Sequence, residues 1–486
     1  MEDQLSSRSL LSISWKRKQF EQQMERIKKA TNLAQYKIDY SVAHNESTLQ
    51  AIEIVEEFLR KKHRICYGGQ AINAHLPEKY KFYHSERTVP DYDFFSPQPD
   101  QDIRNLVQDL KKAGFQEISA REGMHEGTVK IYVDYIPIAD ITAIDPSLYR
   151  ILSKREYRVD GISYMDVNTL RMMMYLELSR PRGEVERWPK VYERLLLLNT
   201  FASKSRCRWS DELNNTLTKE KVEYVINFLI NKKRIFAGLD LVNVYRQAFE
   251  RRTKKMEWLV HTRKPILFFS PNPEEDMKQI REEFERQDHE QHQPLSYRIR
   301  LESSKAGGEL LPTMTVLYQN KIPLLFIIHQ SACHSYFQLP FASSSFTSSS
   351  SSFDYDSYDS SKKMRKRGKM QHTLQIASMD TLITLYFSLA LLDSKYLDMG
   401  SMECLANHML ELSIKMRTHP KRSPFPFISL NCSGHQKSLP SLIREKVHRI
   451  TERKKKLKTV MNTHVPLPSK RKTVRKRKHS FEFPTL

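Results

Sequence analysis

One stretch of this chain occurs twice, and no other feature restricts the fold as much. Glu53, Val55, Phe58, Leu59, Lys62, Arg64, Ile65, Gly68 and Asn73 return, in order and at the same spacing, as Glu223, Val225, Phe228, Leu229, Lys232, Arg234, Ile235, Gly238 and Asn243. Phe94-Phe95-Ser96-Pro97 returns as Phe268-Phe269-Ser270-Pro271, followed each time by x-Pro-x-x-Asp, ending in Asp102 and Asp276, and then by a helical pattern. Tyr132, Ile136 and Pro137 return as Tyr318, Ile322 and Pro323. Three matches in one order indicate duplication of a single α/β unit.

The copies differ in their acids. Asp91 and Asp93 fall opposite Pro265 and Leu267, Asp140 opposite Phe326, and Gly69 opposite Leu239. Acids that only solvate a fold would not vanish so cleanly, so the comparison separates an active unit from a structural one.

Local patterns give the elements. The segment from Trp15 to about Leu59 reads as helical, with Ile52, Val55, Phe58 and Leu59 at helical spacing. Arg64 to Gly69 is a short strand entering a glycine turn, and a helix resumes from Gln70 to His75. Val89 to Phe95 reads as a strand stopped by Pro97 and Pro99, and Asp102 to Ala113 as an amphipathic helix ended by Gly114. Thr128 to Tyr135 and Ile136 to Ile144 read as consecutive strands, Val167 to Leu178 and Trp188 to Leu198 as helices. The helix near Met379 to Leu392 parallels the one beginning near Val167. The expectation is a mixed α/β (α+β) chain: a helical N-terminal segment (1–44), an active unit (45–200), a degenerate copy (205–440) and a basic, disordered tail (441–486). An insert at 342–370, serine-rich and then basic, cannot bury a core and reads as a mobile loop.

A formal net charge of +22 points to a polyanion partner. No run of about 20 apolar residues exists to cross a bilayer, and the first residues lack a signal pattern, so nucleic acid is preferred to membrane. Part of the charge lies in the tail, in Arg453 to Lys456, Lys470 to Lys472 and Arg475 to Lys478. Such a tail suits an RNA-holding arm, and a nuclear-import signal would look identical. Cys66, Cys207, Cys333, Cys404 and Cys432 are odd in number and far apart, which argues against a zinc site or disulfide framework and for a reducing compartment.

In Asp91-Tyr92-Asp93 the two carboxylates of a strand share a face. Like charges so close repel, and a divalent cation is the natural compensation; the plain alternative is two exposed aspartates on an edge strand. Gly68-Gly69, between strand and helix, lets a phosphate approach main-chain amides, although many such pairs are ordinary turns. Asp140, flanked by Ala139 and Ile141, is a costly acid unless paired or bound to metal. Asp134 competes for that role; its counterpart Asn320 is a mild change that suggests a structural part. Arg187, Lys190 and Arg194 recur at helical spacing as one basic face, set either to meet a triphosphate or RNA backbone or to pair with Glu184, Glu186 or Glu193. Lys190 is the first choice for phosphate contact. Trp188 and Tyr192 suit either base stacking or core packing, and Met172 to Met174 packing.

Strand, Gly-Gly, helix, Asp-x-Asp and a later acid resemble the DNA polymerase β-like nucleotidyltransferase superfamily. Arg187-Trp188-Pro189-Lys190-Val191-Tyr192-Glu193-Arg194-Leu195, Tyr67 to Asn73 and Ala139 to Thr142 narrow the resemblance. They are similar to the poly(A) polymerase catalytic subunits of large cytoplasmic DNA viruses, asfarvirus-like and mimivirus-like. The resemblance spans roughly 50–440 and is strongest over 64–198. It implies a duplicated nucleotidyltransferase fold and transfer of AMP from ATP to the 3′ end of single-stranded RNA, for polyadenylation of viral mRNA in virion and host cytoplasm. It also implies two Mg²⁺ or Mn²⁺ ions on Asp91, Asp93 and Asp140, one lowering the pKa of the primer hydroxyl and one stabilising the leaving pyrophosphate. Gly68, Gly69, Lys190 and Arg187 become nucleotide-binding candidates. Relatives act as self-pairs or with a processivity subunit, and both remain open. The alternatives are another RNA nucleotidyltransferase (CCA, uridylyl or oligoadenylate type) and a non-catalytic RNA-binding scaffold.

Overall fold

The computed structural model describes residues 7–84, 88–202, 207, 217–251, 264–291, 297–302, 311–340, 373–392 and 397–463. The serine-rich insert expected at 342–370 and the end of the tail, 464–486, lie outside them.

The N-terminal helix α1 (Ser7–Ala43) gives way at Asn45, whose side chain accepts the Thr48 amide at 3.0 Å and so caps α2 (Glu46–Lys62). α2 buries Ile52, Val55, Phe58 and Leu59, one stripe at helical spacing. There follow β1 (Ile65–Tyr67), α3 (Gly68–Ala74), β2 (Tyr92–Ser96), α4 (Pro99–Lys112), β3 (Ile118–Glu122), β4 (Thr128–Val133), β5 (Ile136–Ala143) and α5 (Pro146–Ser153). β6 (Tyr157–Val159), β7 (Ile162–Tyr164), α6 (Val167–Leu178) and α7 (Trp188–Phe201) complete the first unit. Its seven strands are ordered β3-β4-β5-β2-β1-β7-β6, with β2–β5 and β1–β7 parallel and the other pairs antiparallel.

The second unit holds α8 (Lys219–Lys232), β8 (Ile235–Phe236), α9 (Leu241–Arg251), β9 (Ile266–Ser270), α10 (Pro273–Glu290), β10 (Tyr297–Glu302), β11 (Met314–Gln319), β12 (Ile322–His329), β13 (His334–Pro340) and β14 (Thr373–Ala377). α11 (Met379–Leu391), α12 (Met399–Thr418), β15 (Cys432–Ser433) and α13 (Leu439–Thr463) end the described chain. Its sheet runs β10-β11-β12-β9-β8-β14-β13-β15, the first order repeated strand for strand with β15 added at one edge.

The repeat extends to single contacts. Arg64 clasps Asp102 through Nε at 2.6 Å and Nη2 at 3.1 Å, and Ser96 Oγ donates to the same carboxylate at 2.5 Å. Arg234, Asp276 and Ser270 reproduce this at 2.7, 3.0 and 2.6 Å. Both β4–β5 and β11–β12 turn through two residues of positive φ, Asp134-Tyr135 and Asn320-Lys321, the signature of a type I′ hairpin. The units meet where Glu403 of α12 accepts from Arg155 at 2.9 Å and from Asn168 at 2.6 Å, and where the Ser335 amide donates to the Ser179 carbonyl at 3.1 Å.

Two expectations fail. Composition predicts a disordered tail from 441, but residues 439–463 are helical. Leu442, Glu445, Arg449 and Ile450 are partly covered, Arg449 Nη2 donates to the Met124 carbonyl at 3.2 Å, and Arg453 pairs with Glu122 at 2.8 Å. Basic composition hides an amphipathic face. Cysteine spacing argues against disulfides, yet Cys207 joins Cys404 and Cys333 joins Cys432. Spacing along the chain is no guide when the fold closes separations of 197 and 99 residues. Cys66 is the remaining thiol, buried on β1 as the direct partner of Phe94 on β2.

Candidate active site

β1 enters a left-handed turn at Gly68, φ +70°, and the glycine pair itself opens α3. A Cβ on Gly68 would collide with the Asp93 carboxylate, and one on Gly69 would come within 2.6 Å of the Tyr83 ring. Glycine is therefore required here for close approach as well as for φ.

Asp93 on β2 is the direct partner of Tyr67 on β1 and of Asp140 on β5, and Asp140 is the direct partner of Lys130 on β4. Residues directly opposed across strands share a face, so Tyr67, Asp93, Asp140 and Lys130 form one row. Asp91, just ahead of β2 and two residues from Asp93, joins it at the rim. The opposite face is apolar, with Phe94 against Phe58 of α2. Tyr67 Oη shares a hydrogen with Thr142 Oγ1 at 2.8 Å, and Thr142 shares another with Thr128 at 2.9 Å.

The acids strain against one another. Desolvation, then the charges of Asp91 and Asp140, push Asp93 up to about 7, while Lys130 and Arg194 pull the other way. Asp91 is raised too, by desolvation and then by Asp140. Asp140 is buried; Lys130 Nζ donates to its Oδ2, while its Oδ1 is buried without a hydrogen-bond partner. A buried carboxylate oxygen left without a donor, beside two acids held above their usual range, fits a divalent cation that takes oxygen ligands.

A family described as poly(A) polymerase catalytic subunit matches residues 53–184, which include the glycine pair and all three acids. A protein of Acanthamoeba polyphaga mimivirus assigned as such a subunit is 25% identical over 205 residues, 40% of this chain and 35% of that protein. A counterpart from African swine fever virus (strain Badajoz 1971 Vero-adapted) is 32% identical over 108 residues, 22% of this chain and 23% of that protein. The chain thus spans about a third or less of the curated relatives it matches. The fold of the Megavirus polyadenylate synthase superposes with a TM-score of 0.66 at 15% identity, covering 89% of this chain and 84% of that one. The mixed α/β fold is therefore similar to that of the Megavirus polyadenylate synthase.

Beyond residues 53–184, α7 sets its basic residues to different tasks. Lys190 has no ion pair among the described residues. Desolvation, then the charges of Arg194 and Arg187, lower its pKa, and its own charge acts on Asp91. Arg187 instead pairs with Glu177 at 3.2 Å and Glu184 at 3.3 Å, the salt-bridged alternative weighed from the sequence. Arg194 donates to Tyr83 Oη at 2.7 Å and lies 4.6 Å over the Phe82 ring, which fastens the loop beside Gly69. Trp188 donates to the Glu177 carbonyl at 3.1 Å and packs on the core. Asp134 belongs to the hairpin turn, not to a strand, and accepts from Ser47 at 3.1 Å away from the row. Lys130 is the site residue that sequence reasoning misses.

In the second unit the row becomes Leu267, Phe326 and Val316, in the same register and fully buried. On that face Phe269 and Ile328 share a cavity of about 30 Å³ with Leu176 of α6 and Leu385 of α11. The surface that carries acids in one copy is packing surface in the other. Cys207, Cys404 and His408 also gather within 4.8 Å, with the two sulfurs joined to each other.

Proposed function

We propose that the first unit is a template-independent polynucleotide adenylyltransferase that adds AMP from ATP to RNA 3′ ends, serving polyadenylation of viral mRNA in the host cytoplasm and virion. The observation that carries this reading is the single-face array of Asp91, Asp93 and Asp140 with the unpartnered Asp140 Oδ1.

Asp91, Asp93 and Asp140 would hold Mg²⁺ or Mn²⁺. Bound there, the ions supply Lewis acidity for an attacking hydroxyl and charge neutralisation for a leaving pyrophosphate. The chain itself supplies position. Gly68 leaves out the side chain that would block Asp93, and Gly69 the one that would strike the Tyr83 ring. Lys190 and Arg194 bring positive charge to the α7 side of the row, where a triphosphate needs it. Lys130 donates to Asp140 Oδ2 and holds that carboxylate in place.

The test is extension of a labelled single-stranded RNA by each NTP in turn, with Mg²⁺ or Mn²⁺, beside the Asp91→Ala/Asp93→Ala variant. Long products with ATP alone, lost in the variant, are expected. Extension by another NTP would redirect the reading to a different nucleotidyltransferase. No extension, with the RNA still bound, would favour a binding scaffold.

A further inference from the structure

The active-site row does not stop at Lys130. Arg121 on the edge strand β3 is the direct partner of Lys130, so Arg121, Lys130, Asp140 and Asp93 follow one another across one face. At roughly 4.8 Å per strand, Arg121 stands about 14 Å from Asp93. Beyond it lies a cleft of about 430 Å³, walled by Ala120, Arg121 and Glu122 on one side and Lys446, Ile450, Arg453 and Lys454 of α13 on the other. The α13 residues recur at helical spacing, so one helix face looks into the cleft. The one acid in the wall, Glu122, is already paired with Arg453. Lys446 and Lys454 make no ion pair among the described residues. The Arg121 guanidinium rests 4.9 Å over the Tyr132 ring, and Ile450 and Ala120 give an apolar floor.

We propose that this cleft holds the backbone of single-stranded RNA a few nucleotides upstream of the 3′ end. Lys446, Lys454 and Arg121 meet its phosphates, and the row beside Lys130 leads the terminal nucleotide to the acids. This rests on the RNA reading above and adds the strand's path. Unpaired cations along a groove, with apolar Ile450 and Ala120 beside them, suit a flexible polyanion. An acidic protein segment would match the charge alone; the row that runs from the cleft to the acids favours RNA.

The full chain carrying Asp93→Ala is titrated with fluorescent 12-nucleotide oligo(A) at several salt concentrations. It is compared with the same chain also carrying Arg121→Glu, Lys446→Glu and Lys454→Glu. Affinity should fall at least tenfold, and the slope of log K against log salt should become shallower by about 2, at ~0.7 for each single-strand phosphate that is no longer neutralised. The triple Gln variant should fall between the two, which separates removal of positive charge from undocking of the helix. In the active chain, the Glu variant should lose at least tenfold more extension of a 12-nucleotide primer than of a 3-nucleotide primer. Wild-type affinity and slope in the folded variant, or equal losses on both primers, would overturn the proposal. Binding is read without turnover, so a failure of the catalytic reading leaves this titration intact.

Discussion

Asp140 stands directly across from Asp93 in the parallel pairing of β2 and β5, with Lys130 as its other neighbour. These two acids in register on one face, one with a buried oxygen left over, are the groups proposed to hold a divalent cation.

That relationship sets a pH dependence. The Asp93 carboxyl is raised from its ordinary value to about 7, so the folded chain keeps a proton there that the unfolded chain releases. Its contribution to stability is full below the ordinary carboxylate range and is lost as pH rises through about 7. Without divalent metal, wild-type protein should lose thermal stability from pH 5 to pH 8 relative to Asp93→Asn. Mn²⁺ should restore the wild type more at pH 8 than at pH 6. Parallel melting curves for the two proteins across this range would contradict the assignment.

Gly68→Ala tests the turn. Its φ of +70° costs an alanine about 1–2 kcal/mol, and the new methyl meets the Asp93 carboxylate. Adenylate transfer should fall at least a hundredfold, while the thermal midpoint drops by only a few degrees. Gly114→Ala, also at positive φ but with open space around the new methyl, serves as the control in a primer-extension assay.

The twin ion pairs predict twin penalties. Asp102 and Asp276 are buried, and each depends on its arginine. Arg64→Ala and Arg234→Ala should each cost about 3–5 kcal/mol, the range for stranding a buried charge. Urea denaturation would show it. A loss confined to Arg64→Ala would mean that the second unit tolerates an unpaired carboxylate that the first does not.

The disulfides make a redox prediction. Cys432→Ser should lower stability by about 2–4 kcal/mol under oxidising conditions and have little effect under reducing ones. Peptide mapping without reductant should recover the Cys207–Cys404 and Cys333–Cys432 pairs.

Much of the fold is legible because the chain states it twice. Matching Asp93 with Leu267 and Asp140 with Phe326 by sequence yields the register that both sheets adopt. Lys130 stays hidden for a local reason. Counting back from the Asp134-Tyr135 turn sets Val129 opposite Asp140, but a bulge between Ile131 and Tyr132 shifts the strand and brings Lys130 there instead. β3 has no alternating apolar pattern, since Ala120 and Arg121 are exposed, so the edge strand escapes a sequence reading. The ordered part of α13 is hidden by its lysines, because charge runs usually mark solvated chain. Arg187 and Lys190 cannot be told apart until the positions of Glu177 and Glu184 are known.

The contact of α13 with β3 joins residues more than three hundred positions apart, Arg453 with Glu122 and Arg449 with Met124. A ribosome delivers the chain N-terminus first. The acids of the first unit therefore take their places well before the wall beside Arg121 is complete. A nascent or prematurely ended chain would present the acidic face without its basic flank. Translation to the last helix becomes the step at which the surface beside the acids is finished.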